Sequence, residues 1–234
     1  MFAIFKRELK AYFTSPLGYV FLAIFYAFSG LFFYIFSLSV GSTDISSVFL
    51  MMFMVLMVFV PLLTMRLLSE DKKQKTDQLI LTAPVSLLSI VMGKFLAAYV
   101  IFAIGVAVMP VYGFVMSTFA TVSWLPIWGN TVGLLLLGGI FVSIGLFISS
   151  LTENQMIAAI GGFFINLMIL LMNTLKSALP NGFLQDVLSS ISVYSRYSEI
   201  TNGIFSLSSL IFFVSVIFIF LFLTVRVLEK RRWA

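Results

Sequence analysis

The chain contains no cysteine and no histidine among its 234 residues. Thiol nucleophiles, disulfides, Ser-His pairs and metal sites built on those side chains are thereby excluded. The redox compartment stays open, because a cysteine-free chain suits any. Charge is scarce as well. Charged residues make up 10% of the chain against 61% hydrophobic ones, a balance no soluble core could use. Phosphate-cradling motifs are missing: the nearest approach to GxxxxGK[ST] is Gly93-Lys94, which Phe95 follows and which lacks the upstream glycine. GxSxG and HExxH are absent too. An intramembrane enzyme needs ionisable groups inside its spans, and the middles of the apolar runs hold essentially none. The expectation is a chain that performs no covalent chemistry and binds no cofactor of its own.

What is present is six long apolar stretches. A bilayer core about 30 Å thick needs roughly 20 apolar helical residues to cross it. Breaks at charge and turn residues place the spans near Leu17–Val40, Val48–Leu68, Phe95–Phe119, Asn130–Ser150, Met156–Leu175 and Ser208–Val227. The fold class expected is therefore an all-α integral membrane protein, a single domain over residues 1–234. Basic residues of short loops mark the cytoplasmic side. Lys6, Arg7, Lys10, Arg66, Lys72, Lys73, Lys75, Lys94, Arg226, Lys230, Arg231 and Arg232 fall on one side, and only Lys176 and Arg196 on the other. Both termini are thus expected in the cytoplasm. The net charge of +5 is then mostly this topological signal, together with attraction to anionic membrane lipids. Nucleic acid is not an expected partner, because no basic face is interleaved with aromatics in a soluble domain. The first apolar run is too long for the core of a cleavable signal peptide.

Between the spans, three segments are patterned. Phe2, Phe5, Leu9 and Tyr12 recur at helical spacing with Lys6, Arg7, Glu8 and Lys10 between them, as in a helix lying in the membrane interface, and Ser15-Pro16 breaks it. The longest inner segment, Ser69–Lys94, runs from charged Glu70-Asp71-Lys72-Lys73-Gln74-Lys75-Thr76-Asp77 into Leu79-Ile80-Leu81, then Thr82-Ala83-Pro84-Val85-Ser86 and a second helix start. Two readings fit it: a small amphipathic helix that docks on a partner or the membrane, or a helical extension of the spans with a snorkelling basic rim. Outside, Phe183–Ile191 and then Tyr194, Tyr197, Ile200, Ile204 and Phe205 keep helical spacing, which predicts two short helices at the outer surface. The fourth and fifth spans carry Gly133, Gly138, Gly139, Gly145, Gly161 and Gly162, small residues that mark close helix packing, while Asn166 and Asn173 read as interhelical glue.

Taken in order, these segments resemble those of ABC-2 type transporter permeases. The stretch from Ser69-Glu70-Asp71 to Thr82-Ala83-Pro84-Val85-Ser86, ending in Gly93-Lys94-Phe95, looks like that family's cytoplasmic signature. Ile4-Phe5-Lys6-Arg7-Glu8-Leu9-Lys10 with Ser15-Pro16 resembles its interfacial helix, and Ser149-Ser150-Leu151-Thr152-Glu153-Asn154-Gln155 its turn between the fourth and fifth spans. Phe220–Thr224 and Leu228–Trp233 resemble the C-terminal end of the gliding-motility-type branch. Two departures stand out: Lys75 lies where many members have glycine, and Ser208-Ser209 replaces an acidic residue common in that branch.

The resemblance implies the transmembrane subunit of an ATP-binding cassette exporter in a prokaryotic plasma membrane. ATP and Mg would be bound by partner ATP-binding subunits, and a second permease, identical or not, would complete the pathway. An extracytoplasmic accessory subunit is a further implied partner. Glu70, Asp71, Thr76, Asp77, Leu79, Ile80 and Leu81 would form the coupling helix, with Glu153 and Asn154 in the shorter inner turn. Lys6, Arg7 and Glu8 would belong to the interfacial helix, and Arg196 and Glu199 to an outer re-entrant helical pair that gates the exit. The competing reading is a passive channel or a membrane scaffold subunit.

Overall fold

A computed structural model describes residues 1–76, 85–178, 192–204 and 206–233. Among these residues there are ten α-helices and no strand. They are α1 (Phe2–Thr14), α2 (Pro16–Phe33, ending in a π-helical turn Tyr34–Leu38), α3 (Ser46–Thr64), α4 (Arg66–Lys73) and α5 (Leu87–Val106). Then follow α6 (Met109–Ser117), α7 (Trp124–Leu151), α8 (Gln155–Ala178), α9 (Val193–Thr201) and α10 (Leu207–Trp233). Among the described residues six helical stretches are long and apolar enough to cross a membrane: Pro16–Leu38, Ser46–Lys73, Leu87–Ser117, Trp124–Leu151, Gln155–Met172 and Leu207–Arg232. The protein is an all-α integral membrane protein.

Each of these stretches overlaps one that hydropathy picks out, and the start of the third differs most. The third span begins at Leu87 rather than Phe95, because Ser86 caps it: its Oγ accepts from the amide of Ser89 at 3.3 Å. Lys94, expected at the rim, therefore stands inside the helix and is 1% exposed.

The helix α7 is the hub of the bundle. Its flanks are buried almost throughout, from Gly133 and Leu134 to Ser149 and Ser150. Lipid supplies no hydrophobic drive between helices, so association rests on close packing, and the glycines provide it. A Cβ at Gly138 would overlap the ring of Phe102 on α5, and one at Gly145 would overlap Thr64 on α3. By contrast α2, α8 and α10 lie at the edge and expose Leu31, Phe164 and Phe218.

Side chains from neighbouring helices take up backbone groups that helix breaks set free. Pro61 has no N–H, so the carbonyl of Met57 loses its helical donor; Asn166 on α8 donates to it at 3.3 Å. Where the third span breaks ahead of Pro110, the Tyr26 hydroxyl donates to the carbonyl of Ile104 at 3.0 Å. Between α3 and α4 the hydrogen-bond ladder is interrupted at Met65. There Ser149 of α7 accepts from the amides of Leu68 and Ser69, both at 3.0 Å, and donates to the Met65 carbonyl at 2.9 Å. One hydroxyl thus caps α4 from another helix, meeting the orphan donors of its first turn.

Candidate functional site

The basic residues gather at one end of the bundle, where α1, α4 and the start of α5 meet. The spacing Phe5–Glu8–Leu9–Tyr12 puts Glu8 on the apolar face of α1, not among the solvated charges. Tyr12 is fully buried and its hydroxyl donates to the carbonyl of Leu63, in the last turn of α3, at 2.8 Å. Burial pushes that phenol well above its ordinary pKa, so it remains a donor. Arg66 lies over the Tyr12 ring, 4.8 Å from its centroid, and donates to Ser15 at 3.0 Å. These contacts pin the end of α1 and its Ser15-Pro16 turn to the junction of α3 and α4.

The front of α1 is held by charge. Lys94 Nζ lies 3.0 Å from Glu8 Oε1 and 2.7 Å from Asp71 Oδ2, and it also donates to the carbonyl of Leu67. Arg7 reaches the same two carboxylates, Glu8 Oε1 at 2.6 Å and Asp71 Oδ1 at 3.9 Å. An ammonium enclosed this far is tolerated only when paired and fully hydrogen-bonded. Burial acts to raise the pKa of Glu8, but Lys94 and Arg7 together outweigh it and hold the carboxyl below its ordinary value. A cleft of about 300 Å³ opens on the cluster itself, lined by Arg7, Glu8, Asp71 and Lys94 and bordered by Arg66, Glu70, Gln74 and Thr76.

The remaining expected residues fall as follows. Glu70 and Asp71 do not open a helix in the loop; they stand in the last turns of α4, which continues the second span. Glu70 accepts from Gln74 at 3.3 Å, and the Thr76 hydroxyl donates to the carbonyl of Asp71 at 3.2 Å. Lys75 adopts φ 56°, the left-handed conformation that favours glycine. Asp77, Leu79, Ile80 and Leu81 lie outside the described residues. Lys6 is exposed on α1. Asn154 caps α8, its Oδ1 accepting from the amide of Met156 at 2.9 Å, and Glu153 pairs with Arg231 of α10 at 3.2 Å. Lys72 donates to the carbonyl of Ser150, which joins α4 to this second turn. So α1, α4, the 152–154 turn and the end of α10 occupy one end of the molecule.

At the opposite end, α9 is helical as its periodicity predicts, while residues 179–191 and Phe205 lie outside the described residues. Val193, Tyr197 and Ile200 are buried, and the Tyr197 hydroxyl donates to the Phe49 carbonyl at 2.9 Å. Asn130 donates to the carbonyl of Thr201 at 3.4 Å. Arg196 reaches α10, donating to Ser208 at 3.2 Å and lying 4.7 Å over the ring of Phe212. Glu199 is exposed. Groups of His, Cys, Asp and Glu arranged to hold a metal ion are absent among the described residues.

Sequence reasoning missed Lys94 and Glu8 as partners. The signal for Glu8 was its place three residues after Phe5 and four before Tyr12. The signal for Lys94 was the apolar run Leu87–Met92 ahead of it, which lengthens the third span backwards.

A comparison with curated proteins finds no match. A scan against protein families matches residues 1–176 to the ABC-2 type transporter family. That match takes in α1, the first five spans and the α4–α5 segment, including every charged residue of the cluster. The chain is a membrane component of an ABC transporter: it belongs to the ABC-2 type transporter family.

Proposed function

We propose that the chain is the permease subunit of an ATP-driven exporter. Two permeases, identical or different, form the pathway, and ATP-binding subunits carrying ATP and Mg dock on the segment between α4 and α5. On this reading the basic end faces the cytoplasm with both termini, in a prokaryotic plasma membrane, and the whole chain is one transmembrane domain. The family generally pairs with ATP-binding subunits. The observation that carries the proposal is the paired-charge cluster at the mouth of the segment that bears the family signature. Such enclosed charges are costly at a membrane edge and are usually kept for function. Glu70, Asp71, Thr76 and Asp77 then orient the docked segment, and Leu79, Ile80 and Leu81 present its apolar side. Glu153 and Asn154 form the second contact, α1 follows the motion through Lys6, Arg7 and Glu8, and Arg196 and Glu199 belong to the outer gate. The C-terminal stretches Phe220–Thr224 and Leu228–Trp233 support the gliding-motility-type branch, and an extracytoplasmic subunit is a further partner.

The test is purification of the full chain from its native membrane. An ATP-binding subunit should accompany it, and nucleotide should change the permeability of reconstituted vesicles. A chain that purifies with no such subunit and passes solutes without nucleotide would be a channel instead.

A further inference from the structure

We infer that Lys94 is a positioning residue that ties the interfacial helix α1 to the base of the α4–α5 segment, so that the two move as one body. The inference rests on the coupling reading above and names the element that carries the motion onward. Asp71 lies in the last turn of α4 and Lys94 two turns into α5, so their 2.7 Å ion pair bridges the two helices that flank the segment. The third member, Glu8, comes from α1. Lys94 donates hydrogen bonds to Glu8 Oε1 and the carbonyl of Leu67, while Asp71 Oδ2 stands beside the ammonium as an ion-pair partner.

Enclosure is what makes this a mechanical connection. Lys94 is 1% exposed, so its ammonium depends on these partners far more than on water. A displacement of the segment is then carried to Glu8 rather than absorbed by solvent. Arg7 reaches both carboxylates too, but its side chain is 52% exposed, and solvent competes for it. The backbone is shaped for the same contact. A Cβ at Gly93 would stand 3.1 Å from Ile4 Cγ2 and 3.2 Å from the Met1 carbonyl, so α1 packs tightly on α5 beside Lys94.

Two variants test the tie. Lys94→Met leaves two enclosed carboxylates with a lost partner. The triple variant Glu8→Gln, Asp71→Asn, Lys94→Met removes the charges together, which preserves the fold where the single change harms it. The chain has no cysteine, so spin labels at Lys10→Cys and Gln74→Cys can report the distance between α1 and the segment in lipid nanodiscs. The parent chain should give one narrow distance distribution, and both variants a broadened one. In membranes holding the co-purified ATP-binding subunit, Lys94→Met should bind it as the parent does. Both variants should lose its transport-linked stimulation by roughly tenfold, within the usual range of coupling free energies. Recovery of narrow distances and full stimulation in the triple variant would reduce the cluster to charge balance and overturn the proposal. Loss of subunit binding in Lys94→Met would also overturn it, since Lys94 would then shape the docking surface itself. If no ATP-binding subunit is found at all, the coupling reading fails, and the distance distributions still decide the tie.

Discussion

Asn166 donates its amide to the carbonyl of Met57, the acceptor that Pro61 strips of its helical donor. The contact is made possible one turn away. A Cβ at Gly162 would stand 3.2 Å from Pro61, so α8 approaches α3 at the proline and reaches the freed carbonyl four residues on.

Asn166→Leu should therefore destabilise the bundle by about 1 kcal/mol, the usual scale of an interhelical hydrogen bond in a membrane. Restoring the backbone donor with Pro61→Ala should shrink the cost of Asn166→Leu. The measurement is a double-mutant cycle of unfolding in mixed micelles. Additive costs would mean that the amide does not serve that carbonyl.

Lys75 holds φ 56° directly after α4. A left-handed conformation costs a residue with a Cβ about 1–2 kcal/mol. Lys75→Gly should raise stability by about 1 kcal/mol, while Lys75→Val should lower it. Thermal unfolding of the purified chain in nanodiscs checks both, and equal stability of the two variants would refute the conformation.

Glu8 has a folded pKa below its ordinary 4.5. Its contribution is therefore fully present above the unfolded value and lost as pH falls through the lowered folded one. A spin label at Lys10→Cys should report an unchanged α1 from neutral pH down to the ordinary carboxylate range, then a loosening below it. Glu8→Gln should remove this acid step. An α1 that loosens between pH 6 and 7, the range of an unshifted imidazole rather than a carboxylate, would contradict the assignment.

Much of the architecture was legible because membrane helices announce themselves by length. The spans needed only about 20 apolar residues each, and the interfacial helix showed in Phe5, Leu9 and Tyr12 with Ser15-Pro16 after them. Ser86 marked a helix start, yet extending the third span back to Leu87 needed the knowledge that Lys94 finds two carboxylates. A lysine beside a loop reads as a rim residue until its partners are in place. Glu70 and Asp71 posed the same difficulty: carboxylates suit the front of a helix, but here α4 has another helix's Ser149 for its cap and carries them into its final turns. The two carboxylates separate there, Glu70 toward Gln74 and Asp71 toward Lys94. Tertiary partners, not local propensity, decided each of these.

The central claim is that an ATP-binding subunit docks on the segment between α4 and α5. Leucine-type side chains contribute roughly 1.5–3 kcal/mol each when fully buried, so Leu79→Asp should detach the subunit. Glu70→Ala should leave assembly in place and uncouple ATP hydrolysis from transport, since a rim charge gives orientation more than affinity. Neither change touches the core of a span, so both variants should insert normally. The most direct measurement is co-purification of the ATP-binding subunit with Leu79→Asp, read together with substrate-stimulated hydrolysis in reconstituted membranes. The account predicts loss of both. Full binding and full stimulation in Leu79→Asp would show that this segment is not the coupling element.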